Sequence, residues 1–341
     1  FGNADVLRTV LTVGEKMAEY ILASPLMRNK KSLLAVCGQG NNGADGMAAA
    51  AVLKKAGLDV RGGGPASRES ELLKPLAAAD RIHAVLLGGG SAFGLDAAGG
   101  VMQFLEEKGI GLDVGIAKVP LVCQSDIFDL TVADPYTRPD KAMGYEACVG
   151  AWQNNYQDGC FGVGTGATIG KLNGMEHCMK SGIGSYAVQI GELKIGAIVA
   201  VNALGDIYDH HNGQIIAGML SDDRKSFADS AQFLYRSYDS HENKFVENTT
   251  IGAIITNAAF TKSQLCKIAG ITHNGYARSI RPVHTSADGD SIYALSVGNI
   301  PADCDMVGTL AADVMAEAIL CAIRNTESAY GFPAYKDLSF V

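Results

Sequence analysis

Three predominantly apolar runs constrain the fold of this chain more than any other feature. They cover residues 195–201, 250–256 and 291–297, and each has the length of one strand. A strand with one exposed face alternates apolar and polar residues, so these runs predict strands buried on both faces. Such strands need a layer on either side, which favours a mixed α/β architecture of layers around one core.

Apolar periodicity predicts further elements around these strands. A length of 341 residues allows one large domain or two modest ones. Short apolar runs at residues 33–37 and 84–87 predict strands, each followed by a glycine-rich turn. Helices are predicted over residues 7–21, 45–55, 94–108, 262–271 and 306–324.

Composition and charge exclude several classes of protein. The net charge is −8 and the basic residues are scattered, which argues against a nucleic-acid partner. Eight cysteines lack any C-x-x-C pair, and this is typical of reduced thiols in a cytoplasmic protein. No segment is expected to span a membrane, and residues 1–8 lack the features of a secretory signal. We therefore expect a cytoplasmic protein without a membrane partner.

The most informative stretch runs from residue 237 to residue 257. A polar, loop-like segment leads directly into an apolar strand, with Thr249 at the junction. A self-cleaving precursor carries its nucleophile in such a place: the hydroxyl attacks the preceding carbonyl, an ester forms, and water releases a new N-terminal threonine. The freed α-amine has a reference pKa of about 8 and can act as the base for its own hydroxyl. The simpler alternative is an ordinary strand start.

Five stretches of sequence carry a resemblance to a known family. They are Gly57-Leu-Asp-Val-Arg-Gly-Gly, Gly88-Gly-Gly-Ser-Ala-Phe-Gly-Leu-Asp, Asn248-Thr-Thr-Ile-Gly, Arg281-Pro-Val-His-Thr and Asp288-Gly-Asp. Through them, from about residue 57 to residue 330, the chain resembles the DmpA-type L-aminopeptidase/D-esterase family, which includes β-peptidyl aminopeptidases and nylon-oligomer hydrolases. The resemblance implies an αββα layered sandwich of the DmpA/ornithine-acetyltransferase type and a homo-oligomer, often a tetramer of processed units. It also implies cleavage between Asn248 and Thr249 into chains 1–248 and 249–341.

The resemblance also implies roles for individual residues. Thr249 is the expected nucleophile, and Asp288 and Asp290 are expected to orient it and its amine. Asn202 matches the family's oxyanion-stabilising asparagine, whose amide typically lowers a barrier by a few kcal/mol. Lys171 matches a lysine beside the nucleophile. Without the family, Asp288-Gly-Asp290 would indicate a turn, Asn202 a turn residue and Lys171 a solvated loop residue.

A second group of residues is expected to bind substrate. Gly89, Gly90 and Ser91 form a glycine-rich loop whose backbone N–H groups could reach a bound carbonyl, although a plain strand-to-helix turn is an alternative. Phe128 stands where some members carry a tyrosine that helps at the oxyanion. Phenylalanine cannot donate a hydrogen bond, which weakens an expectation of strong β-peptide or D-esterase activity.

The N-terminal segment departs from the family. Residues 38–43 satisfy G-x-G-x-x-G after a predicted strand, with Asp59 about twenty residues further on, as in a dinucleotide fingerprint. The segment is more similar to the phosphate loop of the NAD(P)HX epimerase (YjeF N-terminal) family. We favour a structural role and expect no cofactor, with residues 1–56 as an atypical βα segment and residues 57–341 as the hydrolase domain. The weak cofactor-binding candidates are Gly40, Asn41, Asn42 and Asp45.

Two histidine-containing stretches need separate interpretation. Asp206, Asp209, His210 and His211 resemble a metal cluster, but adjacent histidines point apart on a regular backbone. A surface loop is therefore expected there, and no metal. For His284 a structural hydrogen bond is favoured over a role as general base.

The sequence thus predicts a self-processing aminopeptidase or amidohydrolase acting on a small peptide, amide, ester or ω-amino-acid oligomer. Three alternatives stay open at this point. They are an acyltransferase of the ornithine acetyltransferase type, a nucleotide-binding or epimerase-like protein, and a non-catalytic oligomer.

Overall fold

The computed structural model describes residues 33–36 and 47–50 as backbone and residues 55–153, 155–236 and 248–339 in full. The predicted helix over residues 7–21 and the glycine loop with Gly40, Asn41, Asn42 and Asp45 lie outside the described residues. The helices are α1 (Ala97–Glu107), α2 (Lys141–Gln153), α3 (Ser230–Arg236), α4 (Lys262–Ser279) and α5 (Cys304–Asn325). The strands are β1 (Leu33–Val36), β2 (Met47–Ala50), β3 (Lys55–Arg61), β4 (Ala66–Arg68), β5 (Ala84–Gly88), β6 (Leu112–Asp113), β7 (Lys118–Val119), β8 (Val122–Asp126), β9 (Thr168–Ile169), β10 (Met179–Lys180), β11 (Ile183–Ile190), β12 (Leu193–Ala200), β13 (Asp206–Tyr208), β14 (Ile215–Ala217), β15 (Ile251–Ala258), β16 (Ile280–Arg281) and β17 (Asp290–Ile300).

The three apolar runs form adjacent strands of one sheet, as predicted. Its order is β11-β12-β15-β17-β3, with β15 and β17 parallel and the other pairs antiparallel. Alternate residues of β12 face opposite sides: Ile195 and Val199 pack toward α4 and α5, while Ile198 and Ala200 pack toward the second sheet. The continuous apolar character of β12 follows from this burial on both faces.

A second sheet lies against the inner face of the first. Its order is β2-β1-β5-β8-β4, with the central pairs parallel. Val85 and Leu87 of β5 pack toward the first sheet, and Ser125 and Tyr293 join the two sheets by a hydroxyl–hydroxyl hydrogen bond of 2.8 Å. The outer face of β5 packs on α1 and α2. The predicted αββα layered sandwich is confirmed.

Helices α4 and α5 cover the outer face of the first sheet. Helix α4 begins with a capping box, in which Thr261 and Gln264 satisfy each other's backbone N–H groups, and it extends to Ser279 rather than ending at residue 271. By length and composition α5 is able to cross a membrane, although the sequence predicts no such segment. The fold instead buries 67% of its most apolar window. Helix α5 packs so closely on β11 that a Cβ at Gly184 would lie 2.2 Å from the backbone nitrogen of Ala322.

The predicted helix over residues 45–55 is wrong. Residues Met47–Ala50 form β2, which pairs antiparallel with β1, and Lys55 already begins β3. The prediction rested on the high helix propensity of alanine, and pairing with β1 in the sheet overrides that weak preference. Strand β1 is confirmed over Leu33–Val36 and lies parallel to β5. The predicted division of the chain at residue 57 stays a prediction.

Candidate active site

The Asn248–Thr249 peptide is held from both sides. Both residues are buried directly before β15. The N–H of Thr249 donates to the backbone carbonyl of Asn202 at 3.0 Å, and the N–H of Gly289 donates to the carbonyl oxygen of Asn248 at 3.0 Å. The hydroxyl of Thr249 donates to the same Asn248 oxygen at 2.5 Å. The hydroxyl therefore lies next to the carbonyl that precedes it, and a backbone donor already contacts the oxygen of that carbonyl.

The side chain of Asn202 links three parts of the site. It lies just after β12 and is fully buried. Its Oδ1 accepts from Lys171 Nζ at 2.6 Å and from the N–H of Thr168 at 3.1 Å. Two donors on Oδ1 determine the orientation of the amide. Nδ2 therefore lies on the other side and donates to the backbone oxygen of Phe128 at 2.9 Å.

Lys171 is a buried ammonium beside this asparagine. Burial lowers the pKa of Lys171 to about 8, and the nearby carboxyl groups of Asp288 and Asp129 oppose that shift. A lysine with a pKa near neutrality can exchange a proton during a reaction, as catalytic lysines do. The alternative of a solvated loop residue is excluded because Lys171 is 2% exposed.

The two predicted carboxylates lie together but bind different donors. Asp290 accepts from the N–H of Thr250 at 2.7 Å and from His284 Nδ1 at 2.8 Å. Asp288 accepts instead from the N–H and the hydroxyl of Thr285, at 2.6 and 2.7 Å. Burial, and then the negative charge of Asp290, raise the pKa of Asp288 to about 7. Asp288 can therefore gain or lose a proton near neutral pH, the behaviour expected of a proton carrier.

The raised pKa of Asp288 predicts a pH-dependent effect of Asp288→Asn on stability. Between pH about 4 and about 7 the folded state binds this proton more tightly than the unfolded state, so the parent loses stability as pH rises through that window. Asparagine removes this cost. We expect the variant to gain about 4 kcal/mol relative to the parent between pH 4 and pH 8. Urea unfolding at pH 4, 6 and 8 measures the difference, and a difference that does not change with pH would contradict the prediction.

The predicted substrate loop is tied to the segment that Asn202 contacts. The N–H of Gly90 donates to Asp129 Oδ1 at 2.7 Å, and the N–H of Ser91 donates to the carbonyl of Ile127 at 3.0 Å. These two amides bind within the protein, so in this geometry they are not directed at a substrate carbonyl. Gly89 packs against the Asp129 carboxylate, to which a Cβ would approach within 2.5 Å. The loop is also a turn before α1, and its role in binding substrate stays a prediction.

Three polar residues near the site were not predicted as part of it. Lys180 is buried and donates from Nζ to the carbonyls of the segment before β9, which carries the Thr168 N–H. Asp129 is buried beside Gly90, and burial raises its pKa to about 6. The hydroxyl of Thr285 donates a hydrogen bond to the Asp288 carboxylate. Of these three residues, only Thr285 lies in one of the stretches that carry the family resemblance. Asp129 and Lys180 could not be found from the sequence because their partners are backbone groups distant along the chain.

The prediction that His210 and His211 point apart is wrong. Their rings lie 4.0 Å apart, and both Nε2 atoms contact Glu317 Oε1 of α5, at 3.2 and 2.7 Å. The two residues lie in a turn after β13, where regular strand alternation does not apply. His284 makes the predicted hydrogen bond, and its partner is Asp290. The seven cysteines among the described residues are free thiols.

Comparison with solved structures identifies the fold. A β-aminopeptidase from Burkholderia sp. superposes with a TM-score of 0.61 at 16% identity, covering 90% of this chain and 89% of that chain. The L-aminopeptidase D-Ala-esterase/amidase of Ochrobactrum anthropi, described as a variant of the Ntn-hydrolase fold, gives a TM-score of 0.53 at 15% identity, with 87% and 84% covered. At these identities the comparison shows the fold alone, which is of the N-terminal-nucleophile hydrolase type.

Sequence comparison identifies the family. An uncharacterized aminopeptidase of Mycobacterium leprae is 35% identical over 297 residues, covering 82% of this chain and 81% of that protein. A 6-aminohexanoate-oligomer endohydrolase of Kocuria sp. (strain KY2) is 30% identical over 261 residues, with 72% of each covered. The model of peptidase family S58 matches residues 46–335. This chain is a member of peptidase family S58.

Proposed function

We propose that this chain cleaves itself between Asn248 and Thr249 and then acts as an amidohydrolase with Thr249 as its N-terminal nucleophile. One observation carries the proposal: the Thr249 hydroxyl lies 2.5 Å from the oxygen of the carbonyl that it would attack. Membership of a peptidase family supports hydrolysis of an amide bond.

Self-cleavage requires the hydroxyl oxygen of Thr249 to attack the carbonyl carbon of Asn248. The hydroxyl proton leaves to a neighbouring base, and the carbonyl oxygen gains negative charge, which the N–H of Gly289 is placed to stabilise. When the C–N bond breaks, the Thr249 nitrogen gains a proton and Asn248 becomes an ester on Oγ1. Water then hydrolyses the ester and leaves a carboxylate at Asn248 and a free amine at Thr249.

The surroundings of the new amine suit the second reaction. The backbone carbonyl of Asn202, which accepts the Thr249 N–H at 3.0 Å, can accept a hydrogen bond from the amine as well. The amine can then take the hydroxyl proton while Oγ1 attacks a substrate carbonyl. Asn202 Nδ2 has two hydrogens, and Phe128 accepts one of them, so a second donor remains for an oxyanion. The neighbouring Lys171 and Asp288 can move protons between the steps.

The relatives suggest the substrate class. One is named as an aminopeptidase, and another as an endohydrolase of 6-aminohexanoate oligomers. We therefore propose small peptides, amino-acid amides or esters, and ω-amino-acid oligomers as substrates. Phe128 has no hydroxyl to offer at the oxyanion, so that contribution falls to Asn202.

Intact-mass spectrometry of freshly purified protein tests the proposal directly. We expect two chains, 1–248 and 249–341, whose masses together equal that of the full chain plus one water. The same sample should hydrolyse amino-acid p-nitroanilides or 6-aminohexanoate oligomers. A single full-length mass that persists on long incubation, without hydrolysis of either substrate, would disprove the proposal.

A further inference from the structure

His284 makes a two-point contact with one oxygen of Asp290. Its backbone N–H and its Nδ1 both meet Asp290 Oδ2, at 3.3 and 2.8 Å. His284 makes this contact from a left-handed backbone, with φ of 59°. The other oxygen of Asp290 accepts the N–H of Thr250, the residue after the proposed nucleophile. Asp290 therefore connects His284 to the backbone that carries Thr249.

The packing around the imidazole favours one tautomer. His284 is stacked on the Tyr276 ring, and His273 meets it edge-on with the centroids 4.7 Å apart. Among the described residues, its buried Nε2 has no hydrogen-bond partner. A proton on Nε2 would have no acceptor, whereas a proton on Nδ1 has the Asp290 carboxylate. The geometry therefore favours a proton on Nδ1, donated to Asp290.

Among the described residues, His273 and Arg61 do not supply a cation to Asp290. Burial lowers the pKa of His273 to about 3, so this neighbour is neutral at physiological pH. Arg61 is engaged by Asp59 and the Gly270 carbonyl. Several titratable or charged groups lie around His284 and Asp290, either in direct contact or separated from them by one other residue. They are His273 and Tyr276 of α4, Asp59 and Arg61 of β3, Asp288, and Lys171.

We propose that His284 is a positioning residue that holds the Asp290 carboxylate beside the Thr249 backbone, so that Asp290 and Asp288 have different parts in the reaction. The inference rests on the proposed function of Thr249. Three N–H donors stabilise the anion of Asp290, and two of them come from His284. Burial, and then the negative charge of Asp290, raise the pKa of Asp288, which carries the mobile proton. His284 thereby assigns the fixed charge to Asp290 and the exchangeable proton to Asp288.

Two variants of His284 separate this role from a packing role. Glycine and asparagine both tolerate the left-handed backbone, so both should preserve the loop. Only asparagine places an amide N–H close to the former Nδ1 position. In His284→Gly, Asp290 loses a charge-assisted hydrogen bond and takes up a proton more readily, so we expect the acid limb of the kcat/KM–pH profile, at which Asp290 becomes protonated, to move up by about one pH unit. In His284→Asn the limb should stay within a few tenths of the parent's.

The control is His211→Asn, because His211 also contacts a carboxylate but lies on Glu317, outside the proposed site. It should alter neither the limb nor the plateau. A fall in activity at all pH values with an unmoved limb in His284→Gly would show a packing role and would overturn the proposal. An unchanged pH profile in His284→Gly would also overturn the proposal.

A measurement on the parent tests the proposal even if a His284 variant fails to fold. Nitrogen NMR of the parent labelled with ¹⁵N-histidine should show His284 protonated at Nδ1 and unprotonated at Nε2 near neutral pH. A proton on Nε2 instead would refute the proposal. The tautomer can be measured even in a chain that never cleaves itself, so failure of the proposed function and failure of the His284 role remain distinguishable.

Discussion

Thr249→Val should remain one uncleaved polypeptide and hydrolyse amide substrates at least about 10⁴-fold more slowly than the parent. Valine keeps the size and branching of threonine but has no hydroxyl to attack Asn248 or a substrate. The side chain is buried, so an isosteric replacement avoids a cavity. Intact-mass spectrometry and steady-state hydrolysis measure the two effects on the same preparation.

The adjacent threonine provides a matched control. Thr250 is equally buried at the start of the same strand, but among the described residues its hydroxyl has no hydrogen-bond partner. Thr250→Val therefore removes a buried polar group without a partner, which is neutral or stabilising for the fold. We expect normal cleavage at Asn248–Thr249 in this variant. Cleavage that persists in Thr249→Val but stops in Thr250→Val would show that Thr250, and not Thr249, is the nucleophile.

The central strands could be predicted because their signal is local. Burial on both faces leaves a continuous apolar run, and β12, β15 and β17 each carry one. Residues 45–55 failed because their alanines have no strong preference by themselves, and a partner strand distant in the fold decided their structure. Local periodicity predicts elements whose own sequence carries an apolar pattern. It misses strands whose structure depends on pairing with a distant strand.

The candidate site divides in a similar way. Thr249 could be proposed from the junction between a polar segment and an apolar strand, and the Asp288/Asp290 pair from the family resemblance. The links between them depend on distant parts of the chain: Asn202 joins Lys171 to the backbone of Phe128 across 31 and 74 residues. No periodicity predicts such contacts. His284 lies only six residues from Asp290, but its contact depends on a left-handed backbone that histidine seldom adopts.

Several buried charged groups with shifted pKa values lie in and near the candidate site. Lys171 and Lys180 both have pKa values lowered to about 8 by burial, whereas burial raises the pKa of Asp129 to about 6. Each shift means that the folded state pays a cost to hold an ionised group away from water. Perturbed groups of both signs in one part of a structure are a frequent feature of catalytic sites.

Asn202→Leu should show both the structural and the chemical role of this residue. The substitution removes the acceptor of Lys171 Nζ and leaves that buried amine without its 2.6 Å partner. We expect the free energy of unfolding to fall by about 2–3 kcal/mol because a hydrogen bond to a charged group is lost in the interior. Hydrolysis of substrate should slow by at least about 100-fold, since Nδ2 can no longer donate to an oxyanion.

Asn202→Asp separates these two contributions. Aspartate keeps an oxygen for Lys171 and for the N–H of Thr168, so most of the stability should remain at pH values where Lys171 is protonated. It has no Nδ2, and its second oxygen faces the carbonyl of Phe128. The rate should therefore still fall by about 100-fold although the fold is retained. Urea unfolding and single-turnover hydrolysis report the two quantities.

Asn257→Leu supplies the comparison that makes the Asn202 result specific. Asn257 also bridges two backbone groups, accepting from the N–H of Lys194 and donating to the carbonyl of Glu192, but it lies at the opposite end of the same sheet. Its loss should lower stability without altering the rate per folded molecule. If both leucine variants slow hydrolysis equally, the effect of Asn202 arises from general loosening of the sheet. If only Asn202→Leu and Asn202→Asp slow it, the amide nitrogen of Asn202 takes part in the reaction.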